Sequence, residues 1–321
     1  MPDGLAAFER LGLQLPVSEG RRFRGIRFLN QKMSADAVFP DGACGLAARR
    51  PVLHRVMVER AEQVGVDLLW GRPVNGISND GVYAGKDFVQ AKFVIGADGS
   101  NSRVRRCAGL DKSCRPRLRY AFRRHYRVAP WTDHMEIHWG RRCQGYATAV
   151  GEEEVCVAVA SHDQNLRLDE ALQELPSLSA RLRGAEVSTP ERGAVTGNRR
   201  LKRVWRGNVA LIGDAAGTVD AITGDGLGLA FSQAVALAAC IESGDLARYQ
   251  QTHDQLALRP LLMARFMLLL DGRPWLQDRT LQVFKKRPEI FQRLLALHVG
   301  VLPPTKLVWD SLTLGWGILT A

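Results

Sequence analysis

The sequence predicts an α/β fold interrupted by an antiparallel sheet and closed by C-terminal helices. Three observations predict it. Two apolar runs, FVIGADG (93–99) and VALIGDAAG (209–217), each stop at an aspartate flanked by glycines, Asp98 and Asp214. Strands ending this way suit an open α/β sheet, whose ligands bind beyond the carboxyl ends of the strands. Between the two runs, from about residue 116, the apolar pattern changes to period two, that of a half-buried antiparallel sheet. After the second run, TGDGLGLAFSQAVALAAC (223–240) reads as a glycine turn feeding a helix, and helical spacing continues beyond it.

Taken in order, residues 1–15 carry Leu5, Phe8, Leu11 and Leu13 at the spacing of a short amphipathic helix. Residues 23–39 read as strands, FRGIRFLN and DAVFP. Residues 45–66 read as a helix, with Leu53, Val56, Met57, Arg60 and Ala61 at helical spacing. DLLW and VNGIS (67–78) read as short strands, and 82–91 as a hairpin turning at Gly85-Lys86. Four strands are expected within 117–131, 135–140, 142–151 and 154–162, then a helix over 166–184. Residues 193–213 return the chain to the first sheet. Helices are expected over 227–270 and 275–321, with proline stops at Pro288 and Pro303. The resulting division is 1–115 and 201–250 for a split first domain, 116–200 for an inserted sheet, and 251–321 for C-terminal helices.

Composition excludes several classes. With 321 residues, 46% hydrophobic and 24% charged, the chain can bury a sizeable core. The formal net charge of +11 raises nucleic acid as a partner. The arginines are scattered from end to end, however, and no helix-turn-helix, zinc-finger or RNP pattern occurs, so no nucleic-acid partner is expected. A basic surface still favours phosphorylated ligands by steering. Six cysteines (44, 107, 114, 143, 156, 240) lack CxxC or Cys/His ligand spacing, so no metal site is expected and a reducing, cytoplasmic compartment is. No signal peptide precedes Met1, and no apolar run reaches the length of a membrane span. The apolar segments near the C-terminus leave a peripheral membrane contact open.

DGxxSxxR (Asp98, Gly99, Ser102, Arg105) and GDAAG…GxGxG (Gly213, Asp214, Ala215, Ala216, Gly217, Gly224, Gly226, Gly228) resemble the two internal flavin motifs of class A FAD-dependent monooxygenases. That family has the fold of p-hydroxybenzoate hydroxylase and includes geranylgeranyl reductases and flavin halogenases. The resemblance implies a Rossmann-like FAD-binding domain, FAD as cofactor, NAD(P)H as reductant and a small-molecule substrate held against the inserted sheet. Family members open with a GxGxxG unit that binds the ADP half of FAD. This chain contains no such fingerprint, and its opening MPDGLAAFERLGL resembles the family sequence just after it. The domain is therefore expected to be incomplete at its N-terminus, with Met1 either an internal start or the start of a truncated protein.

The resemblance also implies roles. Asp214 would accept a hydrogen bond from a ribitol hydroxyl, a role compatible with capping a helix. Gly213 precedes it. Gly224, Gly226 and Gly228 would open backbone amides toward the flavin pyrimidine edge, where the helix dipole favours an anionic flavin. Gly96 and Gly99 allow close backbone approach. Asp98 and Arg105 resemble the motif near the pyrophosphate and the NAD(P)H path, although Asp98 could instead fix its turn. Arg50 matches the arginine of an RxxLxxxL helix that approaches the pyrophosphate, which a guanidinium suits bidentately; Arg49 is its rival. His54 reads as a packed helix residue. His125, His138, Trp139 and Tyr146 are the sheet residues that could touch substrate, though alternation turns half of them away. No catalytic triad is discernible.

Gly217 and Ala221 stand where phenol hydroxylases usually carry His and Pro, which moves the motif toward the reductase–halogenase side of the family. The tryptophan-rich halogenase signature is absent. The expected function is NAD(P)H-dependent hydroxylation of an aromatic or polyketide-like molecule. The alternatives are C=C reduction of the geranylgeranyl reductase type and a non-catalytic remnant that holds FAD weakly.

Overall fold

The computed structural model describes residues 1–111 and 118–303. Helix α1 (Pro2–Arg10) starts with a proline in its first turn, where the missing amide has no intrahelical acceptor to lose. Strands β1 (Gly20–Phe23), β2 (Gly25–Leu29) and β3 (Ser34–Val38) follow. Strand β4 (Gly45–Ala48) pairs with β1 and leads into α2 (Arg50–Gln63). A small antiparallel sheet of β5 (Val74–Ser78), β6 (Gly81–Ala84) and β7 (Asp87–Gln90) precedes β8 (Val94–Gly96) and the short helix α3 (Arg103–Cys107). Next come β9 (Leu118–Arg127), β10 (His134–Trp139), β11 (Cys143–Ala149) and β12 (Glu154–Ser161), then α4 (Leu168–Gln173) and α5 (Pro176–Arg181). Strands β13 (Glu186–Val187), β14 (Arg192–Gly197), β15 (Arg199–Arg200), β16 (Trp205–Arg206), β17 (Val209–Leu211) and β18 (Gly217–Thr218) return the chain. Helices α6 (Gly226–Glu242), α7 (Leu246–Leu270), α8 (Pro274–Lys286) and α9 (Pro288–His298) complete it.

The largest sheet has eight strands, ordered β13-β9-β12-β11-β10-β2-β3, with β14 also paired to β9. Its pairs are antiparallel except β10 with β2. One face packs on α4 and α5 through Val157, Leu168 and Leu178. The other packs on α7, α8 and α9 through Phe28, Trp139, Phe284 and Phe291. Phe284 and Phe291 stack with centroids 4.5 Å apart, and Phe28 stacks on Trp139 at 4.8 Å. A separate three-stranded sheet, β16-β17-β8, contains the parallel pair β8–β17 and packs on α6 and α7 through Leu211, Leu237 and Tyr249. No helix among the described residues is long and apolar enough to cross a membrane.

Several elements differ from the sequence reading. Residues 25–38 were expected in the first domain. Instead β2 pairs with β10 and β3 with β2, which enlarges the inserted sheet, so pairing crosses the boundary drawn at 115. Strand pairing is decided by long-range partners, and local pattern does not reveal them. The helix expected over 45–66 begins only at Arg50, because Gly45–Ala48 pairs with β1 and Pro51 occupies the first turn. DLLW (67–70) is loop and turn, with Leu69 and Trp70 exposed and no partner strand. The helix over 166–184 is divided at Pro176, which starts α5. Helix α7 runs straight through the boundary drawn at 250. Cys114, the 115/116 boundary and residues 304–321 lie outside the described residues.

Helices α1 and α6 cross at Gly4 and Gly228, flanked by the Phe8–Phe231 ring contact at 5.4 Å. A Cβ at Gly4 would sit 2.6 Å from the Gly228 Cα, a backbone atom that cannot yield by rotating a side chain. Gly4→Ala is therefore expected to destabilise the protein by about 1–3 kcal/mol in urea titration. Gly226→Ala, where a Cβ meets nothing within 4 Å, is expected to be neutral or slightly stabilising.

Candidate cofactor site

The parallel pair β8–β17 ends with Gly96 opposite Leu211, so the Asp98 and Asp214 loops leave the sheet side by side. Gly96 has no room for a side chain: a Cβ would lie 2.6 Å from Leu211 Cδ2 and 2.7 Å from Val104 Cγ1. The Asp98 carboxylate accepts hydrogen bonds from the Ser102 hydroxyl and from the Arg103 (2.6 Å) and Val104 (3.1 Å) amides. Desolvation pushes its pKa up, but these donors outweigh it and hold the group below its ordinary 3.8. Asp98 thus caps α3 and fixes the turn. Gly99 takes φ +78° with open space at its Cβ position, so backbone there is bare.

Arg105 was expected along the pyrophosphate and NAD(P)H path. It is instead only 1% exposed, and its guanidinium is engaged inside the protein. Nε pairs with Asp111 at 2.7 Å, Nη2 donates to the Ser100 carbonyl at 2.7 Å and Nη1 to the Ala215 carbonyl at 3.1 Å. Geometry makes it a clamp between the two motif loops, and burial leaves no free face for a phosphate.

Asp214 follows Gly213, which takes φ +58° and donates its amide to the buried Gln233 side chain of α6 at 2.7 Å. Desolvation raises the Asp214 pKa, opposed by the positive charge of Arg50, and no described residue donates a hydrogen bond to its carboxylate. Arg50 is exposed at the start of α2, whereas its neighbour Arg49 has its Nε 3.6 Å from Glu154 on the inserted sheet. His54 is exposed and packs against Trp70 at 5.9 Å. A carboxylate without a hydrogen-bond donor among the described residues, close enough to feel the Arg50 charge and beside bare glycine backbone, fits the polyhydroxy and diphosphate parts of FAD.

The glycine turn before α6 is held from below. Asp220 is buried; it accepts the Ile222 amide at 3.0 Å and pairs with Arg119 at 3.1 Å. Arg119, fully buried on β9, reaches Asp271 at the end of α7 at 3.2 Å. Burial works to lower its pKa, and Asp271 and Asp220 more than reverse this, keeping the guanidinium charged. Gly224 then takes φ +70°. Gly228, expected to open toward a flavin, instead meets Gly4 of α1, so its missing side chain serves the helix crossing.

Beside this turn lies a cavity of about 290 Å³, lined by Gly4, Phe8, Ala47, Thr148, Gly224 and Asp225 among others. None of the sheet candidates lines it. His138 was expected to touch substrate, but it is buried on the opposite face, 3.1 Å from Glu136 and 3.2 Å from Ser177 of α5. Trp139, also expected there, is buried in the aromatic core against Phe28. His125 is buried against Thr189 at 2.9 Å, and desolvation lowers its pKa. Tyr146 stands nearest the turn, donating to the Ile222 carbonyl at 3.1 Å. Sequence reasoning passed over Gln233, Arg119, Asp220 and Asp225. Asp220 and Asp225 lie inside the motif run, where their polar character among small residues was the available signal. Arg119 and Gln233 carry none, since their roles depend on distant partners.

The model of a family described as an FAD binding domain matches residues 45–243, and the chain belongs to that family. Several solved structures share its fold. A flavoprotein/dehydrogenase from Cytophaga hutchinsonii superposes with a TM-score of 0.75 at 15% identity, over 94% of this chain and 80% of its own. A geranylgeranyl bacteriochlorophyll reductase-like protein from Thermoplasma acidophilum gives 0.69 at 19% identity, over 91% and 87%. The flavin-dependent halogenase CmlS gives 0.65 at 19% identity over 83% of this chain, which spans 54% of the halogenase's length.

Two outcomes follow from this geometry. Arg119→Met leaves Asp220 and Asp271 without their shared cation and is expected to cost about 3–5 kcal/mol by chemical denaturation. Because the Asp98 pKa is depressed in the folded state, its stabilisation is present above the unfolded value and lost as pH falls through the folded one. Asp98→Asn should therefore flatten the acid limb of the stability–pH curve below about pH 4.

Proposed function

We propose that this protein is an FAD-dependent oxidoreductase, a monooxygenase that hydroxylates an aromatic or polyketide-like small molecule with NAD(P)H as reductant. The observation that carries the reading is the pair of glycine-lined strand ends where the Asp214 carboxylate, without a hydrogen-bond donor among the described residues, stands within reach of the Arg50 charge. Asp214 would accept from ribitol hydroxyls, Arg50 would face the diphosphate, and the amides near Gly99, Gly224 and Gly226 would approach the cofactor closely. When bound, FAD supplies electron transfer from the nicotinamide and activation of dioxygen; the protein supplies position and electrostatics. Arg105 and the Arg119–Asp220 pair keep the two loops in register for that purpose. The cavity of about 290 Å³ beside the glycine turn is compact, near the lower end of small-molecule sites, which supports hydroxylation over reduction of a long prenyl chain.

The test is binding. Fluorescence quenching and the visible spectrum of the purified chain titrated with FAD should show saturable, stoichiometric uptake. Asp214→Ala should weaken it about ten- to a hundredfold, the scale of one hydrogen bond to a charged group. Failure of the chain to take up FAD would overturn the flavoenzyme reading and leave a non-catalytic relative.

A further inference from the structure

We propose that the outer face of α7, with the start of α8, is a docking surface for an anionic lipid bilayer. The inference does not depend on the flavin reading. Helix α7 packs inward through Tyr249, Ala264 and Met267. The outward stripe of a surface helix is ordinarily polar. From Leu258 onward this one is not. Leu258, Leu262, Arg265 and Leu269 follow one another at spacings of three and four, which lines them up along one face. Leu258 is 44% exposed and Leu269 54%. Trp275, in the first turn of α8 just past the corner between the helices, is 61% exposed. A single exposed leucine is ordinary, but a row of them ending near an exposed tryptophan marks a contact surface.

Charge selects the partner. No acidic residue occurs on α7 between Gln255 and Leu270. Arg200 and Arg265 line a cavity of about 100 Å³ together with Leu258, Leu261 and Leu262. Both arginines are exposed, and neither has an ion-pair or hydrogen-bond partner among the described residues. Arg199, which lines the same cavity, is held by Asp111 at 3.3 Å. The acid there, Asp254, accepts from the Gln250 side chain at 3.2 Å. Arg273 is exposed and folds back to donate to the Leu269 carbonyl, which sets a third cation at the tryptophan end. Cations without counterions among exposed leucines match the headgroup region of an anionic bilayer. The leucines enter the acyl boundary, the guanidinium groups meet lipid phosphates and the indole sits at the interface. A second copy of this chain would bring like charges face to face, and a nucleic acid would leave the leucines uncovered.

The corner that presents Leu269 and Trp275 is fixed from inside. Asp271 pairs with the buried Arg119 at 3.2 Å, and Gln277 Nε2 donates to the Leu270 carbonyl at 2.9 Å. Docking therefore does not have to order the backbone there. The opposite side of α7 lends Leu256 and Pro260 to the cavity of about 290 Å³ beside the glycine turn. A docked bilayer would stand one helix diameter, ~10 Å, from that cavity.

The experiment is co-sedimentation of the full chain with phosphatidylcholine vesicles that do or do not contain about one third phosphatidylglycerol. The anionic vesicles should bind at least about tenfold tighter than the neutral ones, and salt should weaken the binding. The double substitution Arg200→Glu and Arg265→Glu should weaken it at least about tenfold. Lys86→Glu with Lys92→Glu removes the same charge at exposed positions beside the β5–β7 sheet and should weaken it by less than about twofold. Leu269→Gln with Trp275→Gln leaves the charge unchanged and should still weaken it at least about tenfold. Lipid brominated in its acyl chains should quench a part of the tryptophan fluorescence that Trp275→Phe removes. Thermal melts of each variant report folding separately, and FAD titration reports the cofactor reading separately. No binding to anionic vesicles, binding indifferent to Leu269→Gln with Trp275→Gln, or an equal loss with the lysine variant would overturn the proposal. So would a dimer in sedimentation velocity that Leu269→Gln with Trp275→Gln dissolves, which would assign this face to a second copy.

Discussion

The buried Arg119 guanidinium is the interaction on which the arrangement depends. It sits on β9, the strand that carries both β12 and the returning β14, and its two carboxylate partners come from the turn before α6 and from the end of α7. One charge thereby joins the inserted sheet, the glycine turn and the long C-terminal helix. A buried ion pair of this kind adds little net stability against an apolar replacement, because desolvation offsets most of the Coulomb gain. Its consequence is geometric: Asp220 can cap the turn only if Arg119 neutralises it, and the turn positions Gly224 and Asp225 at the cavity.

Arg105 performs the corresponding task at the sheet ends. The two loops that follow β8 and β17 are separated by the whole inserted sheet in sequence, yet the Ala215 carbonyl and the Ser100 carbonyl accept from one guanidinium. Gln233 adds a third tie by fixing the Gly213 amide from α6. Two buried polar side chains thus make three ties that hold bare glycine backbone in place. This lets the loops stay open toward a ligand without collapsing, and it leaves Asp214 as the carboxylate there without a donor among the described residues. Tyr249 anchors α7 to the same strand end through the Leu211 carbonyl at 2.9 Å.

Two kinds of surface therefore meet around the glycine turn. On the strand-end side are charge and bare amides, suited to phosphate and hydroxyl groups. On the sheet side are stacked aromatic rings from β2, β10, α8 and α9, interrupted by Thr223 and by the Asp225–His298 pair.

The sequence by itself determined the strand–aspartate–glycine units at 93–99 and 209–217, the period-two insert and the helix after the glycine turn. Each rests on local periodicity or on residues whose backbone demands are local, such as glycine at positive φ. It also pointed to Asp214 and Arg50, which the tertiary structure brings within Coulomb reach. Only the tertiary structure decided that 25–29 pairs with β10, that Arg105 faces inward and that Gly228 serves a helix crossing. It likewise decided that His138 faces α5, that Trp139 is taken up in the aromatic core against Phe28, and that Asp225 meets His298. Strand alternation says that half the side chains of β10 face each way, but which half is settled by the layer packed on each face. Ion pairs between residues far apart in the chain leave no periodic trace, because the charge that satisfies a buried group lies in its neighbours in space.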